Sequence, residues 1–419
     1  MPNNLLTISK ITNESLMVLE NSVVFSSQVS RDYDSQFAVT GAKIGNTVNA
    51  RKPPRFIGTT GPNLNVEDFN ETSVPVTLTT QFHVDTNFTT QDLALSLDMF
   101  SDRVLKPAIA AIANKIDRDG LVLAKNSIAN TVGVAGTTPT GLLTYLTAAA
   151  YLDSEAAPRD RQRAVIIEPF TGAAIVDSLK GLFVPESQLA GQYREGLMGR
   201  DSGGMNWKMD QNVVSQTYGA WATTVGTLTA NTTGAFTGSI SSGWAATSTI
   251  TLTNSQTLTL QQGDTFTIAN VFGANPQNRQ SYGKLRSFVV TQAVTGTAGT
   301  ISVTVSPAII TGGQFQNVVV AATSATATVT PFSIAATTAT AVTSPQNILL
   351  HKNALTLACA DLVMPEGVHF AGRAASKTAG LSIRIVRQYT INNDSIPTRL
   401  DVLYGWAQLY PELGCRIAA

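Results

Sequence analysis

Thr249-Ile250-Thr251-Leu252-Thr253 and Thr257-Leu258-Thr259-Leu260 alternate Thr with aliphatic residues. Period two in β-branched sequence is the mark of strands with one buried face. Both runs lie in a long stretch, Tyr218 to Leu350, whose only charges are Asp264, Arg279, Lys284 and Arg286. Tyr218 to Gly263 carries none. Gly and Asn punctuate the runs as turns would, so the stretch reads as antiparallel β-structure. The sequence on either side is normally charged and carries helical periodicity. A β-rich module is therefore expected to interrupt another domain, whose chain resumes near Asn347.

Composition sharpens this reading. The chain has 419 residues and zero net charge, and only 13% of its residues are charged. Typical soluble proteins have about 25%. So sparse a charge suggests that much of the surface meets protein rather than water, or else a robust secreted β-protein. Zero net charge argues against a nucleic-acid binder held by phosphates, which needs a basic stripe. Met1-Pro2-Asn3-Asn4 lacks the basic and apolar regions of an export signal. No apolar run approaches the roughly 18 residues of a membrane helix. The expectation is synthesis in the cytoplasm and no membrane. Cys359 and Cys415 have no paired spacing and read as buried free thiols.

The N-terminal flank opens with a helical pattern over Ser9 to Val24. Alternation from Lys43 to Arg51 then leads into Lys52-Pro53-Pro54-Arg55 and a Pro-Gly-rich loop, and Val74 to Phe82 reads as the returning strand. That connection is too long for a tight hairpin and points to a functional or reaching loop. It is basic at one end (Arg51, Lys52, Arg55) and acidic at the other (Glu67, Asp68, Glu71). It is either a solvated loop or an arm pairing charges with a neighbouring subunit, and the arm is the sharper expectation.

The strongest helix follows, capped by Ser101 or Asp102, with Pro107 in its opening turns. Leu105, Ile109, Ile112, Ile116 and Leu123 form its apolar stripe. Its end is expected near Asn130, with Gly120 weakening or bending the middle. A helix at Leu142–Asp153, a buried strand at Arg163–Glu168, a helix at Phe170–Phe183 and a turn-rich loop at Gly196–Gly204 complete this flank. Beyond the insertion, Ala354–Leu362 is helix or strand, Gly380–Arg387 alternates as a strand, Asp394–Pro397 is a turn and Leu400–Tyr404 a strand.

Catalytic signatures are absent. His83, His351 and His369 have no metal-ligand spacing, and a satisfied structural or surface role is the simpler reading for each. No phosphate-binding, nucleophile-elbow or zinc-protease motif occurs. The paired acids of the long loop have no surroundings that would shift their pKa values. No enzyme, cofactor or metal is expected.

Taken in order, these elements resemble the major capsid proteins of tailed phages with the Hong Kong 97-type fold. The resemblance is closest to the subfamily with an inserted β-domain, as in the coat protein of the short-tailed Salmonella phage. It rests on Gly263-Asp264-Thr265-Phe266-Thr267-Ile268-Ala269-Asn270-Val271, Asn275-Pro276, Phe288-Val289-Val290-Thr291 and Ser306-Pro307-Ala308-Ile309. A second block is Asn347-Ile348-Leu349-Leu350-His351-Lys352-Asn353-Ala354, Gly380-Leu381-Ser382, Leu400-Asp401-Val402-Leu403-Tyr404-Gly405-Trp406-Ala407 and Pro411-Glu412-Leu413. The N-terminal half matches in layout.

The resemblance implies an α+β fold with a long spine helix, an extended β-hairpin loop, peripheral and axial domains, and an inserted all-β, barrel-like domain. The implied divisions are an N-terminal arm (1–40), the extended loop with its strands (41–90), a peripheral domain with the spine (91–220), the insertion (221–345) and a return to the capsid core (346–419). It implies self-assembly into hexamers and pentamers of an icosahedral shell, on a scaffolding protein and with a portal. The shell would enclose double-stranded DNA without sequence-specific binding, and would be made in the host bacterial cytoplasm. The competing class is a secreted or surface-exposed, adhesin-like β-protein, which leaves the helical half unexplained.

For the loop, Arg51, Lys52, Arg55, Glu67, Asp68 and Glu71 are the expected inter-subunit contacts. Within the insertion, Arg279, Lys284 and Arg286 either brace their own module or reach a neighbour, with the brace preferred. Relatives bridge capsomers through a charged loop in the first half of the insertion. Here Tyr218 to Gly263 has no charge, so that contact is either missing or apolar.

Overall fold

The computed structural model describes residues 15, 17, 19, 23–32, 45–67, 71–89, 106–179, 203–219, 228–231, 239–254, 258–296, 299–321, 326–332, 342–375 and 381–419. The chain divides into two compact units. One comprises Met1–Ala50, Val74–Gly120 and Leu355–Leu409, the other Arg51–Ser73, Leu121–Ala354 and Tyr410–Ala419.

The first unit is built on an antiparallel sheet. Its longest strand, Ser395–Gln408, pairs along its length with Thr80–Thr89, and also with Leu355–Ala360 and Ser382–Arg387. The expected turn at Asp394–Pro397 is shifted. Residues 391–394 form the turn, and Ser395, Ile396 and Pro397 already lie in the strand opposite Thr89, Phe88 and Asn87. The expected single strand Val74–Phe82 is instead two, Thr72–Thr77 and Thr80–Thr89, because the first pairs with Thr47–Lys52 and the second joins the larger sheet.

Helix α1 (Lys106–Ser127) is the long helix, and it stops short of Asn130. Ile109, Ile112 and Ile116 are buried as the three-to-four spacing predicts, whereas Leu123 is only half-buried, Leu121 being buried in that turn, and Leu105 falls outside the described residues. Gly120 has a different role from the one the sequence suggests. A Cβ there would lie 2.5 Å from the Trp406 ring and 2.7 Å from Phe25, so the glycine admits an aromatic pair against the helix. One turn earlier, buried Asp117 accepts the backbone N–H groups of Val24, Phe25 and Ser26. Residues 15, 17 and 19 are helical. The rest of the N-terminal helix, the caps Ser101 and Asp102 and most of Gly196–Gly204 fall outside the described residues.

In the second unit a mixed sheet runs in the order Thr131–Gly133, Gly414–Ala418, Thr343–His351, Arg163–Ile167, Asn206–Met209. Helices α2 (Leu142–Ser154) and α3 (Pro169–Leu179) accompany it. Tyr145 and Leu152 of α2 and Ile175 of α3 pack with Val165, Trp207, Leu349 and Ile417. Cys359 of the first unit and Cys415 of this sheet are buried free thiols.

The charge-poor stretch forms a seven-stranded sheet in the order Ser281–Val290, Gly299–Ser306, Ser248–Asn254, Leu228–Asn231, Thr326–Pro331, Thr265–Ala274, Val318–Val320. Thr265–Ala274 also pairs with Ser281–Val290, which closes every strand but Val318–Val320 into an antiparallel barrel. Ile250, Leu252, Leu258 and Leu260 are buried while Thr249 and Thr253 stay exposed and Thr251 and Thr259 are half-buried, as the alternation quoted at the outset predicts; Thr257 falls outside the described residues. Phe266, Ile268, Phe288, Val290, Ile301, Val303 and Val329 fill the interior. The chain leaves for this module along Ser215–Thr217 and returns along Thr343–Pro345, and those two segments pair antiparallel.

Candidate assembly surface

No group of His, Cys, Asp and Glu placed to hold a metal occurs among the described residues. His351 Nε2 lies 3.1 Å from Asp160, and His83 Nδ1 lies 2.9 Å from Asp85. No described helix is long and apolar enough to cross a membrane. The chemistry on view is that of contacts, held in three places.

The first is the long loop. Its described charges find partners within the chain. Arg51 lies 3.8 Å from Glu71, an exposed pairing of the kind worth about 0–1 kcal/mol. Arg55 lies 3.5 Å from Glu412. The Lys52 ammonium sits 4.6 Å from the Tyr410 ring and 5.8 Å from that of Trp244. Burial pushes Lys52 below the usual lysine range, Glu412 pulls it back up, and Arg55 lowers it further. Glu67 accepts the N–H groups of Ile57 and Gly58, which folds the loop on itself. Asp68 falls outside the described residues. Apolar side chains also stand open on the loop: Phe56, Ile57, Leu64 and Val66.

The second place is the outer edge of the barrel. Arg286 pairs with Glu155, the residue that follows α2, and both are buried. Tyr282 donates its hydroxyl to the same carboxylate at 3.2 Å, and Asn275 donates to the Ser154 carbonyl at 2.9 Å. Burial raises Glu155 even with Arg286 beside it. Burial acts to lower Arg286, but Glu155, Tyr282 and Glu412 together outweigh it and raise the guanidinium above its ordinary value. Arg279 donates to the Phe56 carbonyl at 2.7 Å, and Lys284 is exposed. Glu155 was not singled out from sequence, where it looks like an ordinary helix-end acid.

The third place centres on Arg416, which is fully buried. Its Nε and Nη2 donate to Gln346 Oε1 at 3.1 and 2.8 Å, and its Nη1 donates to the carbonyls of Lys125 and Gly263 at 2.9 and 2.6 Å. Beside it, buried Asp264 accepts the N–H groups of Gln261 and Gly219 and the amide of Gln216. Burial raises the Asp264 carboxyl although these donors oppose the shift. Gly263 is required at its position, with φ of +90° and Gln216 Oε1 2.9 Å from where a Cβ would stand. Thus Asp264, the first charge of the barrel sequence, is an internal tie.

A family model described as P22 coat protein, gene protein 5, matches residues 1–418. No curated protein matches the chain. Among solved structures, a chain of Mycobacterium phage Che8 is similar at 10% identity and a TM-score of 0.44, over 94% of this chain and 90% of that one. The capsid of cyanophage P-SCSP1u is similar at 10% identity and a TM-score of 0.45, over 95% and 88%. The mature capsid of bacteriophage PhiM1 is similar at 11% identity and a TM-score of 0.45, over 94% and 86%.

Proposed function

The chain belongs to the P22 coat protein family, and we infer from that membership how its shell is built. It is a major capsid protein, and copies of it assemble into the shell of a virion. In our reading the shell is icosahedral, made of hexamers and pentamers, and encloses the double-stranded DNA genome of a tailed phage. It assembles in the host cytoplasm on a scaffolding protein, around a portal. Zero net charge fits a container that does not grip its DNA through a basic, phosphate-binding stripe. Residues 221–345 act as an inserted domain with a private core, and residues 41–90 as the loop that meets the next copy. Since Arg51, Lys52, Arg55, Glu67 and Glu71 have partners in their own chain, the loop would present its apolar side chains to that neighbour. A role for the six charged residues between subunits remains part of this proposal, as geometry rather than as direct pairing.

The observation that carries this reading is the family match over residues 1–418. Negative-stain microscopy of the purified chain, alone and with the scaffolding protein of its own phage, tests it. Closed shells or tubes of regular capsomers are expected. A chain that stays monomeric in both conditions at high concentration would overturn it.

A further inference from the structure

Lys52-Pro53-Pro54-Arg55 carries two cations on a stiff stem. A Pro-Pro pair favours the polyproline II conformation, which has three residues per turn, so residues 52 and 55 project on one face. Both cations meet the same short segment. Lys52 lies over Tyr410, and Arg55 lies beside Glu412, two residues on. The barrel's annex supplies the other walls. Trp244 stands 5.8 Å from the Lys52 ammonium, and the Phe315 ring stands 6.0 Å from the Arg55 guanidinium. That annex is built on its own small core of Ala308, Ile310 and Phe315, with Ile240 and Ala245 against it. It is tied by backbone bonds from Ile240 to Ile309 and from Thr311 to Ile240. A third cation, Arg279 of the barrel, reaches back to the Phe56 carbonyl. The electrostatics agree, since Glu412 acts on Lys52 and on the buried Glu155–Arg286 pair alike.

We propose that the base of the long loop is latched in cis: Lys52 and Arg55 dock on the annex and on the Tyr410–Glu412 segment of their own subunit, so that the inserted module fixes the direction in which the loop leaves before a second copy arrives. An aromatic wall attracts a cation without demanding one geometry, and the carboxylate adds directionality. The loop beyond Phe56 is closed by Glu67 on its own amides. The latch therefore positions a preformed loop rather than ordering a loose one.

The inference uses the coat-protein reading only to say what the loop is for. Both tests use unassembled full-length subunits, so their failure would leave that reading intact. A latched stem should slow trypsin cleavage after Arg55, and lifting it away should speed that cleavage. In Trp244→Ala/Glu412→Gln, cleavage there is expected to speed up about tenfold or more relative to the unaltered chain. Trp244→Phe, which keeps a ring, should retain most of the protection. Equal cleavage rates in the altered and unaltered chains would overturn the latch. The second test places thiols at the two ends of the contact, Arg55→Cys with Glu412→Cys, and bridges them with a short bis-maleimide in dilute solution. Cys359 and Cys415 are buried and should not compete. The expected product is a monomer containing a 55–412 crosslinked peptide. A product found only as a dimer would place the contact between subunits and overturn the proposal.

Discussion

The barrel and the mixed sheet beside it both bury apolar side chains but differ in the polar groups they bury with them. Inside the barrel the side chains are Ile, Leu, Val, Phe and Ala. Its buried charges, Asp264 and Arg286, take side-chain partners from Gln216 and Glu155, outside the barrel strands. The mixed sheet buries Arg163, Arg416 and His351 among Ser344, Gln346 and Asn347. Apolar packing is indifferent to which chain segment supplies the methyl groups. A buried guanidinium is not, because its donors need acceptors at fixed places. The barrel could therefore be specified by local alternation. The sheet needs ties across the sequence, such as Arg416 to Gly263 and Lys125, 153 and 291 residues away.

If the barrel core is private, Phe266→Ala should cost about 3–5 kcal/mol through the cavity it leaves. The fragment 221–345 should melt cooperatively as wild type and lose that melt as Phe266→Ala, as followed by circular dichroism. A fragment without a cooperative melt would break the contrast, because the module would then depend on its flank.

The Arg286–Glu155 pair tests whether the polar edge adds stability or only satisfies itself. Arg286→Met alone leaves a buried carboxylate without its partner and should cost about 3 kcal/mol. The double variant Arg286→Met/Glu155→Leu should return to within about 1 kcal/mol of the parent in urea unfolding. If the double variant is as damaged as the single, the pair carries orientation that apolar packing cannot replace.

Gly120→Ala gives the smallest effect and tests its sign. In a free helix the change would gain about 1 kcal/mol. Against Trp406 and Phe25 it should instead cost about 1–2 kcal/mol by overpacking, read as a lower melting temperature. A rise would mean that the aromatic pair yields readily.

Sequence reading found what local pattern encodes. The Thr–Leu alternation and the burial of Ile109, Ile112 and Ile116 are legible because period and composition act over neighbouring residues. The barrel's closure and the split of Val74–Phe82 into two strands are not, because pairing partners decide both. Gly120 looked like a helix defect because the ring that fills its face is almost 300 residues away, at Trp406. At the candidate site the sequence locates the loop charges, and their partners within the chain come from distant segments. Nothing near Lys52 in the sequence announces Tyr410, Trp244 or Glu412. Arg416 and Glu155 gave no signal, since a lone charge near an apolar run reads as surface until burial is known.

The paired strands Ser215–Thr217 and Thr343–Pro345 have one more consequence. Thr217 and Thr343 join hydroxyls at 2.9 Å across them, and Tyr218 donates its N–H to the Val342 carbonyl. To the mixed sheet, everything between is equivalent to a hairpin turn, since loop-closure cost depends on how far apart the ends are held and only weakly on what lies between. Such a stem is a socket. A different folded cassette with closely spaced ends could be spliced into it, provided it supplied an acceptor where the Gly263 carbonyl meets Arg416 and a cation where Arg286 now meets Glu155. The same property describes how an ancestral shell protein could have acquired its barrel in one recombination event without redesigning the sheet that received it.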